Sequence, residues 1–174
     1  LMELAKSVPA GSEGLLALSH FAGSFCPRFN PEARGAFVGI SLNHKKAHFV
    51  RAIVESIAFM LKENIELLKK LGVEVEKVKS LGGAAKSDFW LQVKSDVLNL
   101  PVEVPKCSEA SSLGAAILAG VGAGVYKDIN EAVEVAASIK KTFIPQAGNT
   151  LRYKKIYRDY LDLYQKLYLS LIHI

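Results

Sequence analysis

The sequence predicts an α/β domain with at least part of its sheet parallel. Two observations carry this. Short apolar runs suited to buried strands, such as Phe37-Val38-Gly39-Ile40-Ser41-Leu42 and Val102-Glu103-Val104, alternate with longer segments of helical periodicity. The 174 residues, half of them hydrophobic, are also enough for about one domain with a buried core.

The first 35 residues are punctuated by Pro9, Gly11, Gly14, Gly23, Pro27, Pro31 and Gly35 and read as loop, with a short ordered piece at Leu15-Leu16-Ala17-Leu18. After the first strand, Asn43 is the expected N-cap of a long helix over residues 43–71, closed by Gly72 in the left-handed position. Along that helix Phe49, Ile53, Ile57, Met60, Leu61, Leu67, Leu68 and Leu71 recur mostly three or four apart and form one apolar face.

A second strand is expected over 75–81, broken by Gly82-Gly83, and a helix over 86–98 with Phe89, Trp90, Val93 and Val97 inward. The strand at 102–104 precedes an alanine-rich helix over 109–120, ended by Gly122 and Gly124. A helix over 129–139 and an extended piece, Thr142-Phe143-Ile144-Pro145, lead to a final helix over 150–169. That helix carries Tyr153, Tyr157, Tyr160, Tyr164 and Tyr168 at spacings of three and four, the pattern of an amphipathic face packing on a sheet. Residues 171–174 read as a non-native or disordered tail to a domain of 1–170.

Composition narrows the function classes. No apolar run reaches the roughly 18–20 residues of a membrane-spanning helix, so no membrane partner is expected. The first residues lack the pattern of a signal peptide, and Cys26 and Cys107 read as reduced cytoplasmic thiols. The net charge of +5 comes from scattered pairs such as Lys45-Lys46 and Lys154-Lys155 on helical polar faces. A nucleic-acid footprint would be clustered, so no nucleic acid is expected as a partner.

Several motifs fail on their spacing. Gly83-Ala84-Ala85-Lys86-Ser87 ends like a P-loop, but Ser80 and Ala85 stand where that loop needs glycine. Gly120-Val121-Gly122-Ala123-Gly124 follows a helix instead of a strand and is no dinucleotide fingerprint. His44 and His48, one helical turn apart, lack an adjacent glutamate and a third ligand, so no metal site is expected there.

One constellation stands out: a strand, then Gly82-Gly83-Ala84, then a helix starting near Lys86-Ser87. Glycines at such a turn admit a ligand to the backbone, and the following helix offers free N–H groups and a positive dipole end. A tight turn without ligand has the same pattern.

Three stretches taken together resemble the C-terminal domain of the FGGY carbohydrate kinases. They are Gly35-Ala36-Phe37-Val38-Gly39-Ile40 continued by His48-Phe49-Val50-Arg51-Ala52-Ile53-Val54-Glu55; Gly82-Gly83-Ala84-Ala85-Lys86-Ser87-Asp88-Phe89-Trp90-Leu91-Gln92; and Glu109-Ala110-Ser111-Ser112-Leu113-Gly114-Ala115-Ala116. The resemblance covers residues 10–168 and implies an actin-like ATPase (ribonuclease H-like) fold, present in part.

It also implies transfer of a phosphoryl group from ATP, with Mg2+, to a sugar or polyol hydroxyl, a pentulose such as xylulose first, in the cytoplasm. Gly82, Gly83, Ala84 and Ser87 are then the expected nucleotide contacts, with Glu109 a weaker candidate. Two positions depart from the family: Ala84 stands where sugar kinases carry a third glycine, and Gly23-Ser24-Phe25-Cys26-Pro27 replaces Gly-Glu-Arg-Thr-Pro.

Family members are about three times this length. The N-terminal domain with the general base and most of the sugar site is expected to be missing, so the sugar is a partner only through that domain and the chain alone is expected to be inactive. A non-catalytic nucleotide-binding or interaction module, and a homodimer, both remain open readings.

Overall fold

The computed structural model describes residues 1–107, 109–136 and 138–171. The long helix expected after the first strand is α2, Lys46–Lys70. Its N-cap is Lys45, two residues later than the expected Asn43, because the His48 ring satisfies the first turn: Nδ1 accepts from the Lys45 N–H at 3.0 Å. Its other end is as expected. Gly72 sits at φ +83° and donates to the Lys69 carbonyl at 3.1 Å, while the Val73 N–H reaches the Leu68 carbonyl at 3.0 Å.

Before α2, the first 35 residues, expected as loop, hold a short helix, α1 (Met2–Lys6), and a strand, β1 (Leu16–Leu18), at the expected ordered piece; the strand expected over 37–42 is β2 (Ala36–Val38). These strands pair antiparallel, Leu16 with Val38 and Leu18 with Ala36. A second sheet joins β3 (Val78–Lys79), β4 (Val102–Pro105) and β5 (Ile139–Phe143). The β3–β4 pair is parallel, as expected of part of the sheet, and β4–β5 is antiparallel. The strand expected over 75–81 shrinks to two residues because only Val78 and Lys79 find ladder partners on β4.

Helix α3 (Asp88–Leu98) crosses over between β3 and β4. Ser87 caps it, its Oγ accepting from the Trp90 N–H at 3.3 Å, and Asn99 at φ +54° ends it. Helices α4 (Ala110–Gly122) and α5 (Ile129–Ala136) follow. No residue of α4 is buried, although it carries no charge along its length, and its substantial packing is on α5 alone.

The final helix, α6, runs over Ala147–Leu171, past the end expected at 169; the rest of the expected tail, 172–174, lies outside the described residues. Asp96 of α3 holds its start, accepting from the Gln146 N–H and the Asn149 amide, each at 2.8 Å.

The core lies between helices. Tyr153, Tyr157, Tyr160 and Tyr164 of α6 are all buried, against Val54, Ala58 and Phe59 of α2 and Val93 and Val97 of α3, with Leu18 of β1. The tyrosine face is therefore a packing face, as expected, but it meets two helices and one strand instead of a sheet. Tyr168's side chain lies outside the described residues.

His20 is buried against this core, its ring edge-on to Tyr164 at 5.0 Å. Burial, then the positive charge of Arg28, pushes its pKa below the usual 6.5. The folded protein therefore binds fewer protons than the unfolded chain as pH falls below 6.5, and stability drops through that range. Glu63, raised by burial against the opposing pull of Arg28, contributes the opposite slope nearer its own range. Unfolding free energies for wild type and His20→Asn between pH 7.5 and 5 isolate the histidine. The wild type is expected to lose stability more steeply, and parallel curves would refute the assignment.

Candidate functional site

The Gly82-Gly83 turn leaves β3 and enters α3 through a single 3-10 turn, Gly83–Lys86. Its first hydrogen bond runs from the Ala85 N–H to the Gly82 carbonyl at 3.1 Å, so the amides of Gly83 and Ala84 precede it and are not consumed by the turn. The two glycines are needed for different reasons. Gly82 sits at φ +69°, ψ −155°, a conformation open essentially to glycine alone. Gly83 has no such backbone requirement, and a Cβ built on it would meet nothing within 4 Å. Neither the fold's conformation nor its packing asks for glycine at 83.

The turn opens onto a cleft of about 660 Å3. Of the four expected contacts, Gly83, Ala84 and Ser87 line it. Gly82 does not; it shapes the turn. Glu109, just before α4, does not line it either. Ser87 has a structural duty as the α3 cap, which fixes its hydroxyl at the cleft wall. Phe89 and Trp90, half-buried, supply an apolar wall. Behind Trp90, the Lys94 Nζ lies 5.2 Å from the indole centroid and donates to Ser80 Oγ at 3.1 Å. Burial pushes that ammonium's pKa below its usual value.

The opposite wall comes from α1, through Met2, Glu3 and Lys6. The sequence reading missed it, because five residues are too few to show a helical period. What holds α1 there is a buried ionic network on α2. Arg51 donates from Nη1 to the Val8 carbonyl at 3.2 Å and the Ala5 carbonyl at 3.5 Å, just where α1 ends. Its Nε meets Glu55 Oε1 at 2.6 Å, and its guanidinium stacks 4.8 Å from the Phe89 ring of the other wall. Glu55 also accepts from the Tyr153 hydroxyl at 2.8 Å and the Gly11 N–H at 2.9 Å.

The network's electrostatics favour the ion pair. Burial pulls the Arg51 pKa down, but Tyr153 and Glu55 more than reverse this. Burial, with Glu55 next, holds the Tyr153 phenol well above its usual range, so it donates its proton and keeps it. One guanidinium thereby fixes both walls of the cleft relative to α2.

His44 and His48 are used elsewhere. Their rings lie 5.2 Å apart, His44 Nδ1 accepts from the Ser41 N–H at 3.0 Å, and His48 Nε2 lies 3.2 Å from Glu13 Oε2. Among the described residues no three His, Cys, Asp or Glu side chains gather into a metal-holding group, and no helix is long and apolar enough to cross a membrane.

Residues 1–123 match the FGGY family of carbohydrate kinases, C-terminal domain. The chain belongs to the FGGY family. Among its FGGY relatives, the xylulose kinase of Staphylococcus epidermidis is 37% identical over 168 residues, 97% of this chain and 33% of that protein. The glycerol kinase of Alkaliphilus oremlandii is 39% identical over 143 residues, 82% of this chain and 28% of its own. A ligand-bound xylulose kinase from Lactobacillus acidophilus superposes on 98% of this chain and 34% of its own with a TM-score of 0.89, at 29% identity. The partial actin-like ATPase fold implied by the sequence motifs is thus the fold of this FGGY chain. It spans about a third of the length of the curated relatives it matches.

Proposed function

We propose that this FGGY chain supplies the nucleotide-binding half of the cleft of a cytoplasmic kinase that phosphorylates a sugar or polyol hydroxyl, a pentulose such as xylulose first. ATP is the phosphoryl donor, and Mg2+ travels with its phosphates. Likeness to xylulose kinases over nearly the whole chain supports the substrate class, and two free cysteines, Cys26 and Cys107, agree with a reducing compartment.

One observation carries the site. Gly83 lines the cleft with no backbone or packing reason to be glycine. The missing side chain is accounted for by a ligand that approaches the free amides of Gly83 and Ala84. Phosphate oxygens suit those amides, and Phe89 and Trp90 offer the apolar surface a base requires.

The test titrates Mg-ADP into the folded chain and follows fluorescence of Trp90, its only tryptophan. A saturable change is expected, weakened about tenfold or more in Gly83→Val, since a β-branched side chain there fills the approach. Because a Cβ at 83 meets nothing, the variant's melting temperature is expected to stay within about 2 °C of wild type. Full affinity in the variant would overturn the reading. A non-catalytic nucleotide-binding module would share this behaviour and differ at turnover, measured as xylulose-dependent ADP release by the gene expressed with its upstream DNA.

A further inference from the structure

The charged groups around the cleft sort by what they can meet. Lys86 stands beside the turn, while Glu3 and Lys6 stand on the opposite wall. None of these three side chains makes a hydrogen bond or ion pair among the described residues, whereas Asp88, also at the rim, is committed to Lys141 at 2.6 Å. Glu3 and Lys6 are three residues apart on α1 and so project from one helix face.

A ligand whose phosphates lie on the amides of Gly83 and Ala84 cannot direct a phosphate at Glu3, because a carboxylate and a phosphate repel. Glu3 must face an uncharged part. An ionised carboxylate only accepts hydrogen bonds, and an ammonium only donates them. The base lies on the apolar wall of Phe89 and Trp90, so the uncharged part of the nucleotide left for the facing wall is the sugar. A vicinal diol satisfies both Glu3 and Lys6, since each hydroxyl donates and accepts.

We propose that Glu3 and Lys6 form a ribose-diol subsite on the wall facing the glycine turn, Glu3 accepting from the hydroxyls and Lys6 donating to them. This rests on the nucleotide reading above. It gives the cleft a preference for ribonucleotides that the glycine turn cannot supply, because the turn meets phosphates common to ribo- and deoxyribonucleotides.

The experiment compares Mg-ADP with Mg-2′,3′-dideoxy-ADP on wild type, Glu3→Ala and Lys6→Ala by isothermal titration. Glu3 and Lys6 are exposed and unpartnered, so both variants are expected to fold, checked by circular dichroism. Wild type is expected to bind ADP about tenfold or more tightly than the dideoxy analogue, the scale of hydrogen bonds to charged groups. Glu3→Ala is expected to bring ADP to the dideoxy level while leaving the dideoxy affinity unchanged, and Lys6→Ala to do so in part.

Undiminished discrimination in both variants, or none in wild type, would overturn the subsite and leave the nucleotide site standing. Equal weakening of both nucleotides by Glu3→Ala would also overturn it, by placing Glu3 on the base. Failure of ADP to bind the folded wild-type chain would overturn the nucleotide reading and this inference together.

Discussion

Replacing Glu55 by alanine is expected to cost about 3–5 kcal/mol of stability, because it leaves a buried guanidinium without its counter-charge. Glu55 is 2% exposed and serves four donors at once: Arg51 at 2.6 Å, the Tyr153 hydroxyl at 2.8 Å, the Gly11 N–H at 2.9 Å and the Ser12 hydroxyl at 3.3 Å. Arg51→Ala is expected to cost a similar amount, since it strands the carboxylate and frees the carbonyls of Ala5 and Val8.

The double variant should lose little more than either single one, because the two changes remove the same network. Urea unfolding of the four proteins at pH 7 measures this. Additive losses would mean that the two residues act independently and that the contacts between them carry no coupling. Since a typical domain has only about 5–15 kcal/mol to lose, either single change is expected to leave the fold marginal. Where Arg51→Ala still folds, its Mg-ADP affinity is also expected to fall, because α1 loses its anchor.

Phe59→Ala is the second large effect, about 3–5 kcal/mol. Phe59 is 1% exposed and lies at the meeting point of α2 and α6, its ring centroid 6.1, 5.8 and 5.3 Å from those of Tyr153, Tyr157 and Tyr160. Truncation deletes the aromatic contacts and opens a cavity between two 25-residue helices that cannot collapse locally. Phe59→Leu keeps most of the volume and is expected to cost about 1.5 kcal/mol or less. Chemical denaturation of both variants decides it. Equal losses would show that ring geometry, not filled volume, holds this contact.

What could be read in advance followed from how local each signal is. Gly72 announced the end of α2 because its left-handed geometry is a property of one residue. The glycine turn before α3 was legible for the same reason, and Ser87 turned out to be a cap as well as a wall of the cleft. The tyrosine spacing on α6 fixed which face is buried but held no information about what that face meets, and the partner proved to be Phe59 and its neighbours on α2. Helix α1 left no trace in the pattern, because tertiary hydrogen bonds from Arg51, more than forty residues away, hold it in place. Half of the cleft was therefore invisible to any reading that moves along the chain one segment at a time.

The uncharged, unburied helix α4 has a consequence for any unfolding curve. Among the described residues its substantial packing is on α5, so the pair is expected to open without disturbing α2, α3 or α6, as a second cooperative unit. Far-ultraviolet dichroism sums over both. The tyrosine environment reports almost wholly on one, since five of the six tyrosines lie on α6. A single melting temperature is then an average over two transitions, and the free energies above belong to the unit that the tyrosines watch.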